Sequence, residues 1–353
     1  EPTNYPLVPQ LYGYQFGDRT SGSKYGRGMM AHKPTDRSAG MVVYSRQGGT
    51  YIIQSFTAPG GVFSMGATAT IAAGSKIFPF FDPFDDTKVL LLYTTSGSAK
   101  CTVVDTAANG SISLNPEIDL GDIDGSSGVK EYQIDMVNSV AGNVKIIASV
   151  SGYVTQLTWD GTNITAGTPI ATTANGFHRF SLGQDGLFAM IANTTLIAGK
   201  IDWSASTVSE GAPTTVISQG TQAYAVSEAG KIAYAYRTEG SYGGMYVQTY
   251  SINTSTYACT ALQLSDRLQQ NYNSGQPRPS EMMFAPGGET FGVSWYGTER
   301  QTSSSSDNKA QIGTVSDDGT ITWINSFNPA STSDTAYNFF AANDWSNSMA
   351  QKG

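Results

Sequence analysis

Charge is scarce in this 353-residue chain. Only 14% of its residues are charged, against about a quarter in an ordinary globular protein. The charge present leans acidic, with 28 Asp and Glu against 20 Lys and Arg and a formal net charge of -8. No basic stripe occurs, so binding to nucleic acid through phosphate neutralisation is not expected. Long apolar runs are missing too. Stretches such as Val89–Tyr93 fall far short of the ~20 residues that a membrane helix needs, so no membrane insertion is expected. The two cysteines, Cys101 and Cys259, lie far apart and form no disulfide framework, which points to free thiols. The two histidines, His32 and His178, leave little from which to build a catalytic triad or a His-based metal centre. There is no Gly-x-Ser-x-Gly elbow and no Gly-Lys-Ser/Thr phosphate loop. Helical periodicity is hard to find, because Gly and Pro interrupt nearly every stretch. The one polar stretch suited to a helical turn is Ser265–Gln270.

What the chain has is glycine (39) and tyrosine (19), with Ser, Thr and Asn at most polar positions. Threonine and aromatics suit strands, and glycine and asparagine suit tight turns. A marker strand recurs: Gly40–Tyr44, Lys88–Tyr93, Val144–Ala148, Leu187–Ile191, Lys231–Tyr236 and Phe291–Trp295. A first strand and a tight turn precede each, as in Phe180–Leu182 with Gly183–Gly186. An outer hairpin follows, as in Thr155–Trp159 with the turn Asp160–Asn163. The markers are spaced roughly 40 to 60 residues apart, as four-stranded repeats require. The units span 27–73, 76–120, 130–172, 176–218, 221–265 and 281–326. A seventh begins near 336 and runs to 353, and a strand near 10–16 is placed to complete it.

This pattern resembles β-propellers in general, across almost the whole chain. The resemblance implies an all-β fold of seven four-stranded blades, closed by N- and C-terminal strands in a single domain. Closure of this kind removes exposed strand edges. A six-bladed ring with extra terminal strands and a longer parent chain cut at residue 353 are the rival arrangements, and a pair of β-sandwiches explains the strands but not their spacing. No specific propeller family matches. Trp159-Asp160 lacks the Gly-His partner of WD40 repeats, and the boxes typical of sialidases are missing.

Few side chains stand out as chemistry. His32, His178 and Arg179 fall beside first strands, the strands that line a propeller axis, and suit a polar ligand site at its mouth. The bland alternative is a hydrogen-bonded channel wall. Asp82, Asp85 and Asp86 lie in one hairpin turn and suit a hard cation such as calcium, or a solvated turn with Asx caps. Asp119–Gly125 carries a fainter version of the same pattern. No other cofactor is implied. Asp135, Glu131 and Glu281 are carboxylates near first strands, available for a hydrolytic pair. Tyr272 sits in a long polar insertion of the kind that binds partners on a rigid scaffold.

The missing motifs, low charge and plentiful tyrosine point first to a non-catalytic propeller. Such a protein serves as a structural or adhesion component of an extracellular or virion assembly resembling a phage tail. Its partners are protein subunits or surface glycans, contacted through aromatic loop tips. The alternative is a carbohydrate-active lyase or hydrolase with its site at the axial mouth.

Overall fold

The computed structural model describes residues 29–36, 38–46, 50–59, 64–72, 77–95, 98–121, 123, 131–150, 152–173, 179–182, 186–192, 194–217, 223–227, 229–238, 244–270, 278–284, 288–297 and 307–327. These residues form six antiparallel sheets in chain order. Blade 1 holds β1 (Met29–His32), β2 (Ala39–Arg46), β3 (Thr50–Thr57) and β4 (Ser64–Ala72). Blade 2 holds β5 (Phe78–Asp82), β6 (Asp85–Thr95), β7 (Ser98–Thr106), β8 (Ile112–Leu114) and β9 (Ile118–Gly121). Blade 3 holds β10 (Glu131–Val140), β11 (Asn143–Val150), β12 (Tyr153–Trp159), β13 (Ile164–Ala166) and β14 (Ile170–Ala171). Blade 4 holds β15 (Arg179–Leu182), β16 (Leu187–Ala192), β17 (Thr195–Asp202), β18 (Thr207–Glu210) and β19 (Thr214–Thr215). Blade 5 holds β20 (Ala223–Val226), β21 (Lys231–Arg237), β22 (Gly244–Ile252), β23 (Cys259–Leu264) and β24 (Gln269–Gln270). Blade 6 holds β25 (Arg278–Phe284), β26 (Thr290–Gly297), β27 (Asp307–Val315) and β28 (Ile321–Phe327).

In each blade the first four strands form a meander, each pairing with the next in sequence. The chain is a β-propeller. The seventh unit expected at 336–353, with its partner strand near 10–16, lies outside the described residues.

The second strand of each blade is buried on both faces, and its alternation explains how the blades stack. On β6, Val89, Leu91 and Tyr93 pack against blade 1, while Leu90 and Leu92 pack against blade 3. On β16, Phe188 and Met190 face blade 3, while Leu187, Ala189 and Ile191 face blade 5. Blades 5 and 6 share a core of Ala233, Ala235, Phe291, Val293 and Trp295. A period-2 strand that is apolar at every position has two faces to bury, and a ring of blades buries both. Five such cores join six blades. Among the described residues, none joins blade 6 to blade 1.

The outermost position of blades 2 to 5 is filled by two short strands rather than one long one. β8 and β9 both pair with β7, and β13 and β14 both pair with β12. The breaks fall at Pro116, Pro169 and Pro213. Proline has no N–H for the ladder and is confined to sheet edges, and a broken edge resists pairing with other chains. In blade 2 the segment after Pro116 is tied inward, as Glu117 accepts from Tyr93 Oη at 2.7 Å and from Lys100 Nζ at 2.6 Å. In blade 5 the break spans Ser265–Leu268, and Gln269–Gln270 then pairs with Gly244–Met245. The stretch expected to form a helical turn therefore ends in a strand, because the free edge of β22 captures it.

Among the described residues, a group of tyrosines fills the interior between two blades. Tyr224, Tyr234, Tyr236 and Tyr250 are buried between blades 4 and 5, and the rings of Tyr234 and Tyr236 stack at 5.3 Å. Cys101 and Cys259 are both free. Burial pushes their thiols up to about 12 and about 11, so neither is a ready nucleophile at neutral pH.

Gly40 shows how tightly one blade is built. It lies between His32 on β1 and Phe56 on β3, and the His32 ring crosses it to meet Phe56 edge-on at 5.3 Å. A Cβ there would strike the Ala31 carbonyl oxygen and sit 2.7 Å from the Phe56 ring. Gly40→Ala is expected to cost about 1–3 kcal/mol, read as a lower urea midpoint at unchanged slope. A variant of wild-type stability would show that this packing is looser than described.

Candidate functional site

Asp82 is the last residue of the innermost strand β5, where a short turn leads into β6. Its side chain is 3% exposed. One oxygen, Oδ1, accepts from the Phe84 N–H at 2.9 Å. Among the described residues, no group donates to Oδ2. Burial pushes this carboxyl above the ordinary carboxylate range; the Phe84 N–H opposes the shift and the charge of Asp85 adds to it. Desolvation of the charged form is the dominant cause.

A cleft of about 340 Å³ opens here between blades 2 and 3. Asp82, Phe84, Asp85 and Lys88 line one wall, and Ala141, Gly142, Asp160, Gly161 and Thr162 line the other. The Phe84 ring is 46% exposed. Lys88, at the inner part of β6, pairs with Asp105 on the neighbouring strand of its own blade. This partner holds the Lys88 ammonium above its usual range, so it remains a cation. Asp105 is held in turn by Asn115 Nδ2 at 3.0 Å. On the far wall, Asp160 accepts from the N–H groups of Asn163 at 2.6 Å and Thr162 at 2.8 Å. Those bonds hold its carboxyl below the usual range. Gly161 completes the turn at φ 92°, a conformation that favours glycine.

Other blade boundaries show how a closed version looks. Between blades 5 and 6, Lys231 occupies the position on β21 that Lys88 occupies on β6. It reaches across to Asp317 at 2.8 Å and to the Val315 carbonyl at 3.3 Å. Between blades 3 and 4, Trp203 Nε1 donates to Asp135 Oδ2 at 3.2 Å. Between blades 1 and 2, Ser55 donates to the Gly110 carbonyl at 2.7 Å. At the blade 2–blade 3 boundary the lysine turns back to Asp105, and the space it would fill is the cleft.

The expected site residues fare unevenly. Asp82, Asp85 and Asp86 do not come together as a metal-ligand set. Asp82 caps Phe84, and Asp85 caps Thr87 through its N–H at 2.8 Å and its hydroxyl at 2.6 Å. Asp86 turns to the Thr35 N–H of blade 1 at 3.1 Å, and the Thr35 hydroxyl also donates to it. Each carboxylate serves a different backbone turn, which divides the calcium ligands. Among the described residues, no group of three or more His, Cys, Asp or Glu side chains is placed to hold a metal ion. Asp119 caps Gly121 and sits 3.8 Å from Lys100. His32 ends β1 but leans across Gly40 onto Phe56. Asp135 is spent on Asn138 and Trp203. Arg179 opens β15 opposite Ile191. The side chains of Arg179, Glu131 and Glu281, together with His178 and Tyr272, lie outside the described residues. Sequence reasoning missed Lys88, Phe84 and Asp160 as members of one site.

No family model and no curated protein matches the chain. Its fold is shared with solved structures at low sequence identity. A protein of Bacteroides uniformis assigned as a 6-phosphogluconolactonase is 10% identical over 83% of this chain and 82% of its own, with a TM-score of 0.56. The periplasmic gluconolactonase of Pseudomonas aeruginosa is 10% identical over 86% of this chain and 85% of its own, with a TM-score of 0.53. Hydrazine synthase of Kuenenia stuttgartiensis is 16% identical over 86% of this chain and 80% of its own, with a TM-score of 0.54. Likeness at this level establishes the propeller fold. It also corrects the expectation of a non-catalytic structural or adhesion component. Propellers of similar extent are named as lactonases, and the described residues form a cleft between blades 2 and 3.

Proposed function

We propose that the protein is a hydrolase of sugar-derived lactones and that it works in the cleft between blades 2 and 3. The observation that carries this reading is Asp82, a buried carboxyl with no donor to Oδ2 among the described residues, beside a cavity that Lys88 also lines. A carboxyl shifted upward is a better base near neutral pH than an ordinary one. The names of the Bacteroides uniformis and Pseudomonas aeruginosa neighbours agree with the reaction class.

The chemistry balances with one carboxylate. Ionised Asp82 accepts a proton from water as the water oxygen bonds to the lactone carbonyl carbon. Negative charge builds on the carbonyl oxygen, and the Lys88 ammonium stabilises it. Collapse of the tetrahedral intermediate breaks the bond between that carbon and the ring oxygen. The proton on Asp82 passes to the ring oxygen, giving an open-chain hydroxy acid and restoring the base.

Acid release from gluconolactone, followed in a pH-stat and corrected for spontaneous opening, tests this. Turnover is expected to fall as pH drops through the raised Asp82 pKa, because the active form is the ionised one. Lys88→Met is expected to lower kcat by about 10²–10³-fold, as loss of an oxyanion donor does. A folded protein that leaves the spontaneous rate unchanged would sink the reading.

A further inference from the structure

We infer that the cleft takes the uncharged ring of an unphosphorylated sugar lactone and rejects the phosphorylated counterpart. The inference rests on the proposed lactone chemistry and adds the substrate class to it. Its basis is the balance of donors and acceptors in the walls. Asp82, Asp85 and Asp160 present carboxylate oxygens, and Lys88 is the one cation among the described lining residues. Lys88 is shared with Asp105, so the single ammonium that serves the developing oxyanion is outnumbered by the carboxylates of the lining.

Phosphate sites are built from free backbone N–H groups or arginine forks. Here four N–H groups of the turns beside the carboxylates are spent on the aspartates themselves. Phe84 donates to Asp82, Thr87 to Asp85, and Thr162 and Asn163 to Asp160. Among the described lining residues there is no arginine. A phosphate carrying about -1.5 to -2 charge would meet acceptors and like charge, which suppresses binding.

A neutral sugar ring meets the opposite situation. Its hydroxyls are donors for the carboxylate oxygens of Asp85 and Asp160 left over from capping, which leaves Asp82 Oδ2 to the attacking water. Its C–H face is apolar and suits the half-exposed ring of Phe84. The cavity, at about 340 Å³, is in the range of small-ligand pockets.

Calorimetric binding of glucose and glucose 6-phosphate, as unreactive rings, to the full chain tests the inference apart from turnover. Glucose is expected to bind at least about tenfold more tightly at low salt, and the gap should narrow as salt screens the carboxylates. Phe84→Ala should weaken glucose binding while leaving the protein folded, since the ring is exposed. Equal or tighter binding of the phosphorylated sugar, or no binding of either, would overturn the inference. The lactone assay is scored separately. Turnover of gluconolactone without this discrimination overturns only the inference, whereas absence of turnover overturns the function reading beneath it.

Discussion

Asp82→Asn is expected to lower lactone turnover by about 10²–10⁴-fold, the usual contribution of a positioned general base. The substitution is nearly isosteric. The amide oxygen can still accept from the Phe84 N–H, which Asp82 takes at 2.9 Å, so the turn should keep its shape. What disappears is the ability to hold a proton from water. The stability of the variant provides an internal control whose sign can be worked out. Burial raises the folded-state pKa of Asp82 above its ordinary value. Stability linked to this group is therefore present at low pH and lost as pH rises through the raised pKa. The neutral Asn escapes that loss. Relative to wild type, Asp82→Asn should gain in urea midpoint as pH rises from the acid side of the carboxylate range to neutral. A variant that loses turnover and stability together at neutral pH would make Asp82 a structural residue. A variant that keeps full turnover would remove it from the chemistry.

The fold was legible because its signals are local. The marker strands on β2, β6, β11, β16, β21 and β26 are apolar runs of blade spacing, and a strand buried on both faces needs no partner information to be recognised. The split outer edges were less visible, although Pro116, Pro169 and Pro213 mark three of the four breaks. Ser265–Gln270 has no such mark, and its last two residues are strand only because β22 offers an unpaired edge. Tyrosine shows the same limit. Composition counts it, but only the register of β21 turns Tyr234 and Tyr236 inward.

The candidate site was half legible. Asp82, Asp85 and Asp86 stood out as neighbouring carboxylates, and proximity in sequence suggested a shared cation. Strand alternation and capping send them to three different partners instead. Lys88 and Asp160 are 72 positions apart in the chain, and nothing local connects them. The available signal was comparative. Lys88 and Lys231 hold the same place in their repeats, each facing an Asp-bearing turn of the next blade, and only the second pair closes. A search for motifs has no means of finding the proposed base, for a related reason. A single carboxyl made basic by burial leaves no motif in a sequence, because its property comes from what covers it.

Trp159 carries the largest expected effect on stability, and it connects the core to the cleft. Its side chain is fully buried among Phe80, Leu90 and Leu92 of blade 2 and Val144, Ile146 and Leu157 of blade 3. Trp159→Ala is therefore expected to cost about 3–5 kcal/mol, the range for deleting a large aromatic from a core. Trp159→Phe should cost much less. Among the described residues the Trp159 Nε1 has no hydrogen-bond partner, so removing the indole N–H breaks no bond seen there and relieves a buried donor. The two variants also separate packing from chemistry. Asp160 follows Trp159 directly and holds the far wall of the cleft, whereas Asp82 and Lys88 belong to blade 2. In the fraction of Trp159→Ala that stays folded, the far wall loosens while the base and the ammonium keep their own strands. Gluconolactone should then show a raised KM with kcat largely kept, and Trp159→Phe should resemble wild type in both. A fall in kcat with KM unchanged would mean that the blade 3 wall takes part in the chemical step, and the division of labour between the two walls would have to be redrawn.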